Sequence, residues 1–388
     1  MIDHPLDSRT QAVREIRAMK EVLLVGFGAV GALYSLILER SGIVRVTAVA
    51  RSNYGIVRDQ GVHFKTKKFG EIRDWKPDRL CNTVASAADQ AYDYVVVTTK
   101  AVPELRLTPE ILSPLLSPEY TNKFAQPTYL LLQNGLNVEK DLYNAIRKLN
   151  QGKPSIVCAA LYVGTNLAAP NVVVTNDLES LFLGIYRHED HTTSANSADE
   201  TALLQDLGSI FQRGGSAITI VPEIQRVKFA KNFWNLSFAT FATLTGYTVP
   251  SLFRSPPASK DEQCNPYLYP ITAELVQQHS IPAIKTTMKE LLTLGHAMGF
   301  PDSPDGLPSS TAETVFEALA RLNRDPDNSH VPSMLLDARR SQPMEVEVIV
   351  GEVVRMGKKY KVDMPHIDML YALLLVKQNQ ILGRMMAQ

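Results

Sequence analysis

The sequence predicts two halves of different class: an α/β half built on a doubly wound, largely parallel sheet, followed by an all-α helical half. Three observations carry this. The stretch KEVLLVGFGAVGALYSLILERSG (20–42) passes from β-branched and leucine residues through glycines into helix-spaced apolar residues. YDYVVVTTK, PTYLLLQNG and SIVCAALYVG are apolar almost without interruption, as strands covered on both faces are. After Pro222 the remaining readable segments carry the helical period instead.

Taken in order, the first strand, turn and helix are followed by Gly42, a residue suited to end a helix, and by a second apolar run, VRVTAVAR (44–51), which completes a βαβ unit. GVHFKTKKFGEIRDWKP (61–77) alternates more strongly and predicts a peripheral hairpin, and VVVTNDLESLFLGIY (172–186) predicts another. RHEDHTTSANSADE (187–200) is a polar loop, and SAITIVP (216–222) reads as the last strand. Helical patterns then occupy 223–245, 270–299, 311–322, 333–340 and 343–359, separated by proline-rich connections at 250–270 and 301–308. The expected division is an extension at 1–20, an α/β domain at 21–222 and a helical domain at 223–388.

Composition narrows the function classes. With 40 basic and 40 acidic residues among 388, and no basic run interleaved with aromatics, nucleic acid is not an expected partner. The longest apolar runs, such as MLYALLLV (369–376), fall far short of the roughly 20 residues a bilayer requires, so no membrane span is expected. Cys81, Cys158 and Cys264 are odd in number and far apart, which fits a reducing compartment and argues against a disulfide framework or a zinc site. The first twenty residues lack an apolar targeting core, so the cytoplasm is the expected location.

GFGAVG satisfies G-x-G-x-x-G directly after a strand and at the start of a helix, the context that makes the motif informative. Gly26 permits the tight turn, Gly28 lets backbone approach a pyrophosphate, and Gly31 allows close helix–strand packing. With Phe27, Ala29 and Val30 between them, they form a dinucleotide cradle of Rossmann type, in which N–H groups at the helix start meet the phosphates. About 20 residues on, where an NAD site places an acid, stands Arg51. A guanidinium suits a 2′-phosphate, so NADP(H) is the expected cofactor. Two later strand ends, at Lys100 and Asn134, lie where such sheets bind ligands, and outline a cleft.

RVKFAKNFWN (226–235) adds a polar stripe to an otherwise apolar helix. At about 100° per residue Lys228, Asn232 and Asn235 share a narrow arc. Lys231 falls just beside it and is read as a solvent lysine. Such a stripe either faces water or lines a cleft.

The glycine loop, Lys100, the QNG around Asn134, KFAKN (228–232) and SMLLDARRSQPMEVE (333–347), with Ser333 and Glu345 twelve residues apart, together resemble the ketopantoate reductase (2-dehydropantoate 2-reductase) family over both halves. The resemblance implies reduction of a small 2-keto acid by NADPH. It makes Lys228 similar to the family's catalytic lysine and Glu345 to the glutamate that works with it. It places Asn232 and Ser333 on the substrate, and Asn134 and Lys100 beside nicotinamide and substrate. Two departures bear on specificity. The family's second asparagine, eight residues after the lysine, is Leu236 here, with Asn235 one residue early, and the run before Glu345 is RRSQPM. Three alternatives stay open: another 2-keto acid or small ketone, a 3-hydroxyacid type of dehydrogenase, and a non-enzymatic NADPH-binding regulator. Homodimerisation through the helical half is also left open.

Overall fold

A computed structural model describes residues 19–257 and 266–387. Most of the expected N-terminal extension, and Cys264, lie outside these. β1 (Lys20–Val25), α1 (Ala29–Arg40) and β2 (Val44–Val49) form the first βαβ unit, with β1 and β2 parallel and in register from Lys20–Val44 to Val25–Val49. A short α2 (Tyr54–Gln60) leads into β3 (Val62–Thr66) and β4 (Gly70–Trp75), an antiparallel hairpin at the sheet edge, as the alternating pattern predicts. β5 (Arg79–Cys81), β6 (Tyr94–Val97), β7 (Thr128–Leu131), α3 (Lys140–Arg147), β8 (Ile156–Ala169), β9 (Val172–Ile185), α4 (Ala198–Arg213) and β10 (Ala217–Ile220) complete this half. The strand order is β4-β3-β9-β8-β7-β6-β1-β2-β5, with β10 parallel to β9.

One expectation is corrected. Residues 172–186 do not make a hairpin of their own: β9 is one long strand, antiparallel to an equally long β8. β8 pairs with β7 only over Ile156–Cys158, and beyond that its sole partner is β9. β9 also pairs in parallel with β3 over Val172–Thr175 and with β10 over Ser180–Leu183, so the long β8–β9 pair carries the sheet on to the β3–β4 hairpin. Buried and exposed residues alternate along much of β9, as they do where one face of a strand pair meets water.

The period of two sorts the strand residues onto two faces. Val22, Leu24, Val46, Val96, Leu130 and Val157 pack with α1 and α4. Leu23, Val95, Val97, Leu131 and Cys158 face the other way, and their core continues without a break into the helical half. Covering on both faces is why these strands read as unbroken apolar runs.

The helical half begins with α5 (Ile224–Asn232), which runs through a π-helical turn (Phe233–Ala239) into α6 (Thr240–Thr245). α7 (Pro270–Leu275) likewise passes through a π turn (Val276–Ser280) into α8 (Ile281–Ala297). α9 (Thr311–Arg324) and α10 (Ser333–Arg339) follow, then a third π segment (Glu347–Gly351) continuing as α11 (Glu352–Tyr360), and α12 (Pro365–Met386). α12 has no counterpart among the helices expected from sequence. Its apolar residues run all round rather than along one stripe, so the period test is weakest there. Among the described residues no helix is long and apolar enough to cross a membrane.

Candidate active site between the two halves

The glycine loop can be tested against the roles its sequence assigns. Gly26 has φ +104°, and a Cβ there would meet Thr99 N at 2.7 Å, so the turn closes directly onto the end of β6. A Cβ at Gly31 would lie 1.9 Å from Gly26 O, far inside van der Waals contact, so only glycine fits where α1 crosses the loop. Gly28 faces open space and precedes α1 with no side-chain cap, leaving the N–H groups of that helix start available to an anion. Phe27 is buried, stacks on Trp75, and its carbonyl accepts from Asn53 Nδ2 at 2.8 Å, which pins the loop. Ala29 and Val30 are half-buried in the first turn. These residues fit a dinucleotide pyrophosphate.

Arg51 stands just past β2, exposed and without an ion pair among the described residues. A guanidinium left free at this position matches a 2′-phosphate. Arg51→Ala is expected to weaken NADPH binding by roughly 10- to 100-fold, the value of one or two charge-assisted hydrogen bonds. NADH affinity should stay within about twofold. A fluorescence titration in which both cofactors weaken equally would refute the assignment.

Across the cleft the decisive side chain is Lys231. Its Nζ donates to Asn134 Oδ1 at 2.7 Å, and Asn134 Nδ2 in turn approaches Glu345 Oε2 at 3.4 Å. Glu345 is buried and its other oxygen accepts from the Ala101 N–H at 3.0 Å. The carboxylate is thus spent across the cleft rather than on its own helix start. The Tyr162 ring of β8 lies 5.6 Å from Lys231 Nζ. Burial pushes the Lys231 ammonium down to about 8, the charge of Lys228 acts in the same direction, and Glu345 opposes both.

Local structure explains the placement. Glu223 caps α5, accepting from Gln225 N at 2.9 Å and Arg226 N, which fixes the helix start and hence the direction of every later side chain. Two carbonyls of the π segment after Glu345 accept bonds from the Asn134 segment and from α5: Leu136 N–H donates to Val348 O at 2.8 Å and Asn232 Nδ2 to Ile349 O at 2.9 Å. Those bonds anchor the Asn134 segment and α5 to the element that begins at Glu345.

Several expected site residues lie elsewhere. Lys228 does not face the cleft. It is buried, and its ammonium forms an ion pair with the fully buried Glu139. Asn232 is buried and committed to Ile349 O, so it is not placed to hold a substrate. Lys100, half-exposed, pairs with Asp337 of α10, whose carboxyl is pushed up to about 6 by burial against the opposing pull of Lys100. Ser333 is exposed at the start of α10, and Asn235 is half-buried in the π turn, neither with a side-chain hydrogen bond among the described residues.

The residues missed were Lys231, Glu139 and Tyr162. Lys231 had a legible signal. The lysine-to-asparagine spacing of four occurs twice in RVKFAKNFWN, as Lys228–Asn232 and as Lys231–Asn235. Asn235, out of register for Lys228, is in register for Lys231. Glu139 and Tyr162 carried no comparable signal, since their roles arise only from what the fold sets beside them.

Comparison with known proteins identifies the family and the fold. A profile described as "Ketopantoate reductase PanE/ApbA" matches residues 22–188, and one described as "Ketopantoate reductase PanE/ApbA C terminal" matches 223–378. An uncharacterized protein of Saccharomyces cerevisiae is 24% identical over 375 residues, covering 94% of this chain and 96% of its own. The crystal structure of 2-dehydropantoate 2-reductase from Methylococcus capsulatus superposes with a TM-score of 0.71 at 21% identity, covering 93% of this chain and 97% of that one. A ternary structure of D-mandelate dehydrogenase with NADH and anilino(oxo)acetate gives 0.68 at 18% identity, covering 93% and 99%. The two matched regions together span most of the chain, and the protein therefore belongs to the ketopantoate reductase family, NADP-dependent oxidoreductases that act on a keto/hydroxyl pair.

Proposed function

We propose that this protein reduces a small 2-keto acid with NADPH, 2-dehydropantoate being the first candidate, and that Lys231 is the proton donor. The observation that carries the reading is the chain Lys231–Asn134–Glu345, which joins an ammonium, an amide and a carboxylate from three separate segments and is bonded to Ala101, two residues beyond the Thr99 that Gly26 closes onto. NADPH, when bound, supplies the hydride. The protein then has to stabilise the negative charge that grows on the former carbonyl oxygen, and to protonate it.

Lys231 suits both tasks. Its ammonium is charged at neutral pH, yet burial has brought it close enough to working pH to give up a proton readily. Asn134 Oδ1 holds the ammonium in place, and the Asn134 amide is itself oriented by Glu345. Glu345 balances the lysine charge and has its second oxygen fixed by the Ala101 N–H. Asn235, one turn beyond Lys231, and Ser333 at the start of α10 remain the candidate contacts for the substrate's own carboxylate and hydroxyl groups.

The substrate is the part open to choice. D-mandelate dehydrogenase shares the fold, which supports testing aryl 2-keto acids beside branched aliphatic ones. The experiment is NADPH oxidation against a panel containing 2-dehydropantoate, branched 2-keto acids and aryl 2-keto acids. Turnover of one class names the substrate. Failure of every member, with NADPH bound normally, would favour the reading as a non-enzymatic NADPH sensor. For assembly we infer a homodimer through the helical half, since Met369, Leu373 and Val376 leave one face of α12 apolar and exposed. A purely monomeric protein in sedimentation at micromolar concentration would refute that.

A further inference from the structure

We propose that Lys228 and Glu139 form a buried clasp whose task is to set the position and charge environment of Lys231; the inference rests on the proton-donor reading above. The geometry is a double contact between the same two segments. Lys231 of α5 meets Asn134, and three residues earlier on that helix Lys228 meets Glu139, five residues beyond Asn134 in the chain. Between these contacts Leu136 N–H is bonded to Val348 O and Asn137 Nδ2 to Glu352 Oε1. The segment that presents Asn134 is thereby tied down along its whole length, with the ion pair as its far anchor.

The pair is a poor stabiliser. Lys228 is 5% exposed and Glu139 0%, so both charges have been taken out of water. Glu139 Oε2 is buried with no hydrogen-bond partner among the described residues. A buried pair with an unmet oxygen is commonly matched or bettered by two apolar side chains of similar size. What apolar residues could not supply is a fixed cation one helical turn from Lys231 together with a carboxylate that keeps the local charge balanced.

The other groups around the two lysines leave that role to this pair. Glu345 acts on Lys231 through Asn134 and by its charge, the Tyr162 ring lies beneath the ammonium, and Lys100 is engaged by Asp337. Glu139 acts on Cys158 of β8, Tyr186 and His191, and Glu223 also acts on Cys158. The Cys158 thiol is pushed well up by burial and then by Glu139, and the Tyr186 phenol is raised by burial, so both stay neutral. Burial holds His191 below the usual histidine range. Lys228 is therefore the cation whose charge acts on Lys231, and Glu139 is the carboxylate that compensates it.

The test compares Lys228→Met, the double variant Lys228→Met/Glu139→Leu, and Lys231→Ala, reading melting temperature, NADPH affinity and the pH profile of kcat/KM for ketone reduction. Lys228→Met removes a repelling cation and leaves an uncompensated carboxylate. The alkaline limb of its profile should move up by about one pH unit. The double variant should melt no lower than the parent and bind NADPH equally, yet lose roughly tenfold in kcat because Asn134 is no longer held against Lys231. It also carries the test if the single variant fails to fold. A double variant with parental kcat and pH profile, beside an inactive Lys231→Ala, would overturn the clasp alone. Full turnover by Lys231→Ala would overturn the donor assignment instead.

Discussion

Lys231→Ala is expected to lower kcat for ketone reduction by about 10²- to 10⁴-fold, the range that a positioned general acid supplies. NADPH affinity should change little, because the cradle at Gly26–Gly31 and Arg51 lies on the other half of the chain. The lysine is singled out by geometry: its ammonium is 2.7 Å from Asn134 Oδ1, whereas Lys228 is sealed against Glu139. The pH dependence has a definite sign. Reduction needs the protonated lysine, so kcat/KM should be level below and fall as pH rises through about 8, the value at which burial sets the ammonium. Oxidation of the alcohol needs the neutral amine and should rise over the same interval. Lys231→Ala should lose the limb in both directions. If the variant keeps both turnover and limb, Lys231 is not the donor.

Gly31→Ala is expected to be equally severe by a different route. Its Cβ would sit 1.9 Å from Gly26 O and 2.7 Å from Thr98 Oγ1, and the first obstacle is backbone that cannot rotate away. Either α1 or the glycine loop must shift, costing about 3 kcal/mol or more of stability, and the cradle is lost with it. Gly28→Ala separates packing from binding. Nothing lies within 4 Å of a Cβ at that position, so the melting temperature should hold while NADPH binding weakens at least about tenfold, because the methyl would occupy the path of the pyrophosphate. Equal losses of stability in the two variants would refute the division of roles between the glycines.

The cradle was fully legible in the sequence because every part of it is local. Turn, close approach and helix start fall within six consecutive residues, and Arg51 follows at a spacing fixed by one βαβ unit. Glu345 and Asn134 were legible as positions at the ends of elements, where functional side chains collect. The polar stripe of α5 was read correctly as a stripe and wrongly as to which edge of it is open. A wheel gives the arc that polar residues share, but not whether another segment brings a carboxylate or a carbonyl to meet them. Glu139 and Ile349 O do so for Lys228 and Asn232, whereas Lys231, at the margin of the arc, meets Asn134.

The sequence by itself determined the two classes of structure, the dinucleotide cradle, the bias toward a 2′-phosphate and the family resemblance. Each of these depends on neighbours in the chain, or on spacings that a single element preserves. The tertiary structure decided which of two lysines, one turn apart, is joined to Asn134 and which is sealed in an ion pair with Glu139. Charge placement in a cleft depends on residues 89 and 97 positions away, Glu139 for Lys228 and Asn134 for Lys231, and no periodicity along the chain encodes that pairing.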